Sequence, residues 1–188
     1  MLGGAQEQWL DRQLAAGQAT WTVLGQQVAI YQRDFDGEPG ERRVSMGKWD
    51  GYRVSRDRLM ASLKGHGVRN PVALSGDVHL HYASELKESY DEPASATLGV
   101  EFTNTSISSN SDGSEVAEGW EDAKADRPHI KYHLARRGYV AFDVTPTRWD
   151  ARFVVLDKVS EPGAPGRTGG APVAEAGKAA LNVARGQI

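Results

Sequence analysis

Three side chains near the middle of the sequence have the chemistry of metal ligands. Asp77, His79 and His81 follow an apolar run at residues 72–74, and one residue separates each from the next. If the chain stays extended here, side chains at alternate positions point to the same side, with Cα atoms about 6.6 Å apart. Carboxylate oxygen and neutral imidazole nitrogen are ligands that divalent metal ions accept. The spacing therefore predicts a metal site at the end of a strand.

Each of these candidate ligands also has a structural interpretation. Asp77 can be a turn residue after Gly76, and His79 can be a packed, hydrogen-bonded histidine. His81 lies beyond the expected end of the strand, where the chain could already be helical, and a surface position suits it equally well. The spacing alone does not decide between a metal site and a turn.

Three more polar residues are candidates for the same site. Asp50 and Tyr52 belong to the run Trp-Asp-Gly-Tyr at 49–52, which could shape a substrate pocket. Such a run is more often a packed turn with a capping aspartate, and we take that interpretation. Glu101 lies inside a predicted strand, where it could support a ligating histidine or simply face solvent.

Other chemistries find less support in the sequence. His129 and His133 could share a helical face, but the Arg-Arg-Gly at 136–138 favours a strand, so we interpret the pair as incidental. The hydroxyl-rich run 105–109 lacks a Gly-x-Ser-x-Gly context and a nearby base, which argues against a serine hydrolase. The sequence contains no glycine loop of the P-loop or dinucleotide-binding type.

Composition narrows the class of protein. The 188 residues are 39% hydrophobic and 25% charged, as expected for one globular domain. A net charge of -3 gives no basic field for nucleic acid, so no nucleic-acid partner is expected. The absence of cysteine excludes disulfides, thiolate metal sites and a cysteine nucleophile. No segment approaches the roughly 20 apolar residues that span a bilayer, and the first residues show no export signal, so no membrane partner is expected.

The elements that carry the candidate residues follow from hydrophobic periodicity and turn residues. Amphipathic helices are predicted at 6–16 and 55–64, strands at 72–74 and 98–103, and a strand or buried connection at 20–24. A helix, a short loop, an apolar strand and then reactive residues is the order found in layered α/β architectures, whose sites lie outside the strand ends.

The second half of the sequence predicts a hairpin and two polar segments. Residues 139–144 and 149–159 alternate around the turn 145–148, which indicates a β-hairpin. Residues 112–126 hold six acids and one lysine, and are expected to be a solvated insertion. From 161 onward the chain is rich in glycine, alanine and proline without an aromatic residue, which predicts a flexible tail.

Five short runs occur in an order that is specific to one protein family. They are Met1-Leu2-Gly3 with Gln6 and Trp9-Leu10; Trp49-Asp50-Gly51-Tyr52 with Arg56; Leu74-Ser75-Gly76-Asp77-Val78-His79; Glu101-Phe102 leading to Thr105-Ser106-Ile107-Ser108-Ser109; and Arg137-Gly138-Tyr139-Val140. In this order they resemble the C-terminal half of a PhoD-like alkaline phosphatase/phosphodiesterase of the calcineurin-like metallophosphoesterase superfamily. The Gly-Asp-Val-His element is the most diagnostic.

The resemblance implies a fold, a metal centre and a reaction. Residues 1–160 would be the C-terminal portion of a PhoD-like metallophosphatase domain, part of a four-layer α/β/β/α sandwich that ends in a β-hairpin, with 161–188 as the tail. Asp77 and His79 match metal ligands of a dinuclear centre, for which the family implies calcium and iron. A metal-bound hydroxide, and no protein nucleophile, would attack a phosphomonoester or phosphodiester. His81, Asp50, Tyr52 and Glu101 would be residues on the substrate side or behind the ligands.

Two departures from the family pattern matter. Leu80-His81-Tyr82 replaces the small residues and tryptophan expected after the motif, and the family's earlier Asp, Tyr, Cys and Asn ligands have no counterpart before residue 77. The resemblance thus implies a truncated form with half a metal site, whose partner would be the missing N-terminal half. The alternative is a non-catalytic remnant or protein-interaction module. Family members are commonly secreted or periplasmic, which leaves the localisation of this chain open.

Overall fold

Parallel and antiparallel strands join in one mixed sheet. The computed structural model describes residues 1–33, 43–109 and 111–183. Its helices are α1 (Gly4–Ala16), α2 (Arg53–Gly65) and α3 (Trp120–Ala123), with 3₁₀ turns at Trp49–Tyr52 and Lys124–Asp126. Its strands are β1 (Thr22–Val28), β2 (Pro71–Gly76), β3 (His81–Lys87), β4 (Thr97–Thr103), β5 (Gly113–Ser114), β6 (Ile130–Val144), β7 (Arg148–Leu156), β8 (Gly166–Gly170), β9 (Val173–Glu175) and β10 (Leu181–Asn182).

The strand order brings the carboxyl ends of three strands together. The sheet runs β1-β2-β4-β3-β6-β7-β9-β10, with β5 beside β6 and β8 beside β7. β1, β2 and β4 are parallel, whereas β3 is antiparallel to both of its neighbours. Because the carboxyl ends of parallel strands share one end of a sheet, β1, β2 and β4 finish together where β3 begins. We call this the site end of the sheet.

Helices α1 and α2 cover one face of the parallel strands. Leu14 of α1 and Leu59, Met60 and Leu63 of α2 are buried there, in one cluster with Ala73 of β2. The periodicity of residues 6–16 and 55–64 predicted both helices, and the structure confirms them. Among the described residues, none of the helices is long and apolar enough to cross a membrane.

The opposite face of the sheet is lined by aromatic and aliphatic side chains. Phe102 of β4, Tyr132 of β6 and Trp149 and Phe153 of β7 are buried in one cluster. This core joins the parallel strands to the predicted hairpin, which the structure confirms as β6 and β7 with a longer first strand. The mixed α/β class is confirmed as well.

The tail after residue 161 forms more structure than its composition predicts. β8 and β9 pair with β7, and β10 pairs with β9. A Cβ on Gly170 would lie 2.3 Å from the ring of Tyr132. Glycine, which suggested flexibility in the sequence, here lets the backbone pass directly over an aromatic ring. The sheet therefore continues beyond the hairpin that was expected to end the fold.

The acidic segment 112–126 is also more than a solvated insertion. Trp120 at the start of α3 is buried, and its ring packs 4.4 Å from that of His133. His133 in turn stacks on Tyr82 of β3, with ring centroids 4.8 Å apart. Trp120 therefore anchors the segment 112–126 to the sheet, although most other residues of this segment are polar.

Candidate functional site

Asp77 and His79 lie in the loop that joins β2 to β3 at the site end. β2 stops at Gly76, and residues 77–80 form bends rather than a continuation of the strand. Asp77 has φ 73° and His79 has φ 56°, both in the left-handed region. The alternation argument for a single extended strand is therefore wrong, although both side chains remain on one loop.

The left-handed residues let the chain reverse direction. β2 and β3 lie on either side of β4 and run in opposite directions, so the four residues 77–80 must turn the chain past the end of β4. A non-glycine residue in this conformation costs about 1 kcal/mol or more, and such residues concentrate at functional sites. The side chain of Asp77 is 47% exposed and His79 is half-buried, so ligand atoms at this loop are accessible.

Lys48 supplies a positive charge at the same place. Its ammonium group forms an ion pair with the Asp77 carboxylate, and its side chain is 18% exposed. The next residue, Trp49, is fully buried and donates from Nε1 to Oε1 of Gln26 on β1 at 3.2 Å. Packing of Trp49 therefore fixes the position from which Lys48 reaches the loop.

Asp50 and Tyr52 follow on the 3₁₀ turn. Asp50 forms a buried ion pair with Arg56 of α2 and accepts the backbone N–H of Arg33 at 2.8 Å. The N-terminus of α2 has no side-chain cap, so the expected capping role does not apply to Asp50. Tyr52 is 47% exposed. The packed-turn interpretation of 49–52 is confirmed. The side chain of Asp50 is buried in this turn and joins it to α2 and to Arg33.

Glu101 on β4 is fully buried, so the solvent-facing interpretation is wrong. Its carboxylate accepts the N–H groups of Ile30 at 3.0 Å and Tyr31 at 2.9 Å, and the hydroxyl of Ser75 at 2.5 Å. Burial raises the pKa of Glu101 to about 7, while these hydrogen bonds act in the opposite direction. Glu101 thus ties the segment after β1 to the end of β2, next to the Asp77 loop.

His81 is the first residue of β3 and points into the core. It is fully buried, and its ring meets Phe153 edge-to-face with centroids 4.9 Å apart. Neither ring nitrogen has a hydrogen-bond partner among the described residues, and burial lowers the pKa of His81 to about 3. The surface position and the helical segment considered for His81 are both wrong, because residues 81–87 pair on both sides within the sheet.

The structure adds a residue that the motif analysis did not single out for this site. Arg137 on β6 is 5% exposed, and its guanidinium donates to the backbone carbonyl of His79. It also donates to the Thr105 hydroxyl at 3.1 Å and to the Ser111 carbonyl at 3.0 Å. The sequence signal was the Arg-Gly-Tyr-Val run itself, whose partners are 26 to 58 residues away in the chain.

Two side chains of the kind that ligate metal ions lie together at this loop. Asp77 offers carboxylate oxygens and His79 offers imidazole nitrogens, both on one loop. Within residues 1–33, 43–109 and 111–183, no group of three or more histidine, aspartate or glutamate side chains is suited to a metal ion. This arrangement fits two ligands of a shared centre. It does not make a complete site.

Comparison with known proteins identifies the family. The model of the PhoD-like phosphatase family matches residues 1–153. Alkaline phosphatase D of Bacillus subtilis (strain 168) is 38% identical over 164 residues, which are 87% of this chain and 28% of that protein. A solved structure of PhoD superimposes on the whole chain with a TM-score of 0.93 and 34% identity, and 37% of that structure is covered. The chain thus spans about a third of the length of these relatives, and it belongs to the PhoD-like phosphatase family.

Proposed function

We propose that the protein is part of a metal-dependent phosphoric ester hydrolase. The observation that carries this proposal is the position of Asp77 and His79, on one accessible loop at the end of three parallel strands, within the segment that matches the PhoD-like phosphatase family. The similarity to alkaline phosphatase D supports a phosphomonoester or phosphodiester as the substrate.

Asp77 and His79 would hold metal ions through a carboxylate and an imidazole. This donor set suits calcium and iron, the metals proposed here, because calcium takes oxygen ligands and iron accepts both types. Bound metal ions would activate water and neutralise charge on the phosphate. The remaining ligands would come from residues outside those that the structure describes, such as a separate or upstream segment.

The chain's own polar groups would support this site. Lys48 contacts Asp77 and would attract an anionic phosphate ester toward the loop. Glu101 and the Asp50–Arg56 pair are buried behind it and hold the ends of β1 and β2. Tyr52, which is half exposed, remains a candidate for contact with the substrate. No side chain of the chain is proposed as a nucleophile.

The test is hydrolysis of p-nitrophenyl phosphate with added calcium and iron. It should be measured for the 188-residue chain alone and for the chain combined with a polypeptide that carries the remaining ligands. Asp77→Ala should reduce activity at least about 100-fold, as loss of a metal ligand would. Asp57→Ala on the exposed face of α2 is the control and should have no effect. Undiminished activity in Asp77→Ala would disprove the ligand assignment.

A second function, as a protein-interaction module without catalysis, is supported by the edge of the sheet. β1 ends the strand order, and its outer side has no strand partner among the described residues. An unpaired edge readily accepts a strand from another polypeptide. This alternative predicts no stoichiometric metal in elemental analysis of the purified chain. A firmly bound dinuclear centre would exclude it.

A further inference from the structure

Arg137 on β6 connects two other segments of the chain through its side chain. Its guanidinium is buried and donates to the His79 carbonyl, the Thr105 hydroxyl and the Ser111 carbonyl. His79 belongs to the candidate site loop, while Thr105 and Ser111 belong to the connection that follows β4. One side chain therefore fixes the loop after β2 relative to the segment after β4.

The backbone around Arg137 is itself fixed. β6 pairs with β3 as far as Leu134, opposite His81, and Arg137 pairs with Leu156 of β7. The next residue, Gly138, donates its N–H to the Ser106 carbonyl at 3.2 Å, and a Cβ there would lie 1.9 Å from the carbonyl oxygen of Val154. The side chain of Arg137 thus projects from a paired part of β6, just beyond the start of β3 and beside the loop 77–80.

We propose that Arg137 is a positioning residue that holds the Asp77–His79 loop in the shape that ligates metal. This inference rests on the proposed metal-binding role of the loop. Holding the carbonyl of His79 restricts ψ of this residue and the place of its Cα atom, and so it limits the directions that the imidazole can take. Hydrogen bonds from a charged donor are stronger than those between neutral groups, and they are strong enough to offset the conformational cost of one left-handed residue.

Lysine cannot replace this function. The guanidinium is planar and presents five N–H donors in a fixed fork, so it can serve three acceptors from one position. A single ammonium group at the end of a flexible chain keeps the charge but cannot span the same three acceptors. Arg137→Lys therefore separates geometry from charge.

The experiment compares Arg137→Lys with Arg136→Lys in the 188-residue chain. Arg136 is the adjacent arginine, and it pairs with Glu115 and the Asp157 carbonyl, away from the loop. Backbone order parameters of residues 77–80 should fall from about 0.85 in the wild type to below about 0.6 in Arg137→Lys. The affinity for Mn²⁺, followed by broadening of the His79 ring signals, should fall about 10-fold. Arg136→Lys should change neither quantity.

Thr105→Val is a second variant that retains shape and removes only one acceptor of Arg137. It should lower the order parameters of residues 77–80 as well, but by less than Arg137→Lys does. If Arg137→Lys does not fold, Thr105→Val alone tests the inference. Unchanged order and Mn²⁺ affinity in the folded variants, or a loop already mobile in the wild type, would overturn the inference. A loop that loosens as expected in a chain that binds no Mn²⁺ would support the positioning by Arg137 and refute the proposed metal role.

Discussion

The loop at 77–80 and strand β8 at 166–170 depart from local sequence signals in opposite directions. The loop looked like a regular extended segment but turns sharply through two left-handed residues. The glycine-rich tail looked flexible but joins the sheet. Polar anchors impose the first conformation, since Arg137 binds the His79 carbonyl and Glu101 binds the end of β2. Aromatic packing imposes the second, through Tyr132. The two regions show that tertiary contacts of different chemistry can override local preference.

The polar side of this comparison is tested most strongly at Glu101. Glu101→Leu removes both oxygens that accept the N–H groups of Ile30 and Tyr31 and the hydroxyl of Ser75. We expect the free energy of unfolding to fall by about 2 to 3 kcal/mol, since a buried donor loses its acceptor. The measurement is urea unfolding at pH 5, below the pKa of about 7, where the wild-type carboxyl is protonated in the fold and the cost of a buried charge does not mask the lost hydrogen bonds.

Glu88→Leu is the control for Glu101→Leu, because Glu88 pairs with Lys64 at the surface. Its free energy of unfolding should change by less than about 0.5 kcal/mol. If Glu101→Leu were equally neutral, the hydrogen bonds of Glu101 at the site end would not stabilise the fold, and the contrast with the tail would fail.

The apolar side is tested at Gly170. An added Cβ would overlap the Tyr132 ring, which is itself packed against Phe153 with centroids 4.7 Å apart and so has little room to move. Gly170→Ala should lower the free energy of unfolding by about 1 to 3 kcal/mol, as overpacking does. Gly166→Ala in the same strand is the matched control, because its Cβ would meet neighbours only at 3.6 Å or more. Equal stability of the two variants would mean that β8 does not pack on the core.

Patterns within a few residues predicted the elements, and contacts between distant residues determined the site. Periodicity predicted α1, α2, β4 and the hairpin, because burial of one face is visible in local spacing. It could not predict the turn at Asp77, which follows from β3 lying beyond β4 in the sheet. Nor could it pair Arg137 with His79, 58 residues apart. Asp77 and His79 became candidates because their chemistry, unlike their conformation, can be read from the sequence.

The contacts of the acidic segment with the sheet should weaken in acid. Burial lowers the pKa of His133 to about 4, and its Nε2 accepts the N–H of Ala117 at 3.1 Å. Burial likewise lowers the pKa of His129 to about 4. Because the unfolded chain takes up these protons near pH 6.5 and the folded chain only near pH 4, stability is present above pH 6.5 and declines between these values.

We expect a loss of about 2 kcal/mol for each of these two histidines between pH 7 and pH 5, measured by urea unfolding. His133→Gln should flatten this dependence, because it removes one of the two groups that take up a proton in the unfolded chain over this range of pH. A slope that is unchanged in His133→Gln would show that His133 does not titrate as its burial requires.

The smallest expected change in stability comes from a glycine substitution in the loop 77–80. His79→Gly removes a side chain at φ 56°, so the relief of about 1 kcal/mol of conformational strain should offset the added freedom of the unfolded chain. The free energy of unfolding should change by less than about 0.5 kcal/mol or increase slightly, while Mn²⁺ binding is lost. At Glu92, an exposed position without a left-handed conformation, the same change to glycine should destabilise the protein by about 0.5 to 1 kcal/mol. A clear loss of stability in His79→Gly would mean that the imidazole stabilises the fold. Retained stability would mean that the loop holds a strained residue that folding does not need, as expected where a side chain serves a ligand.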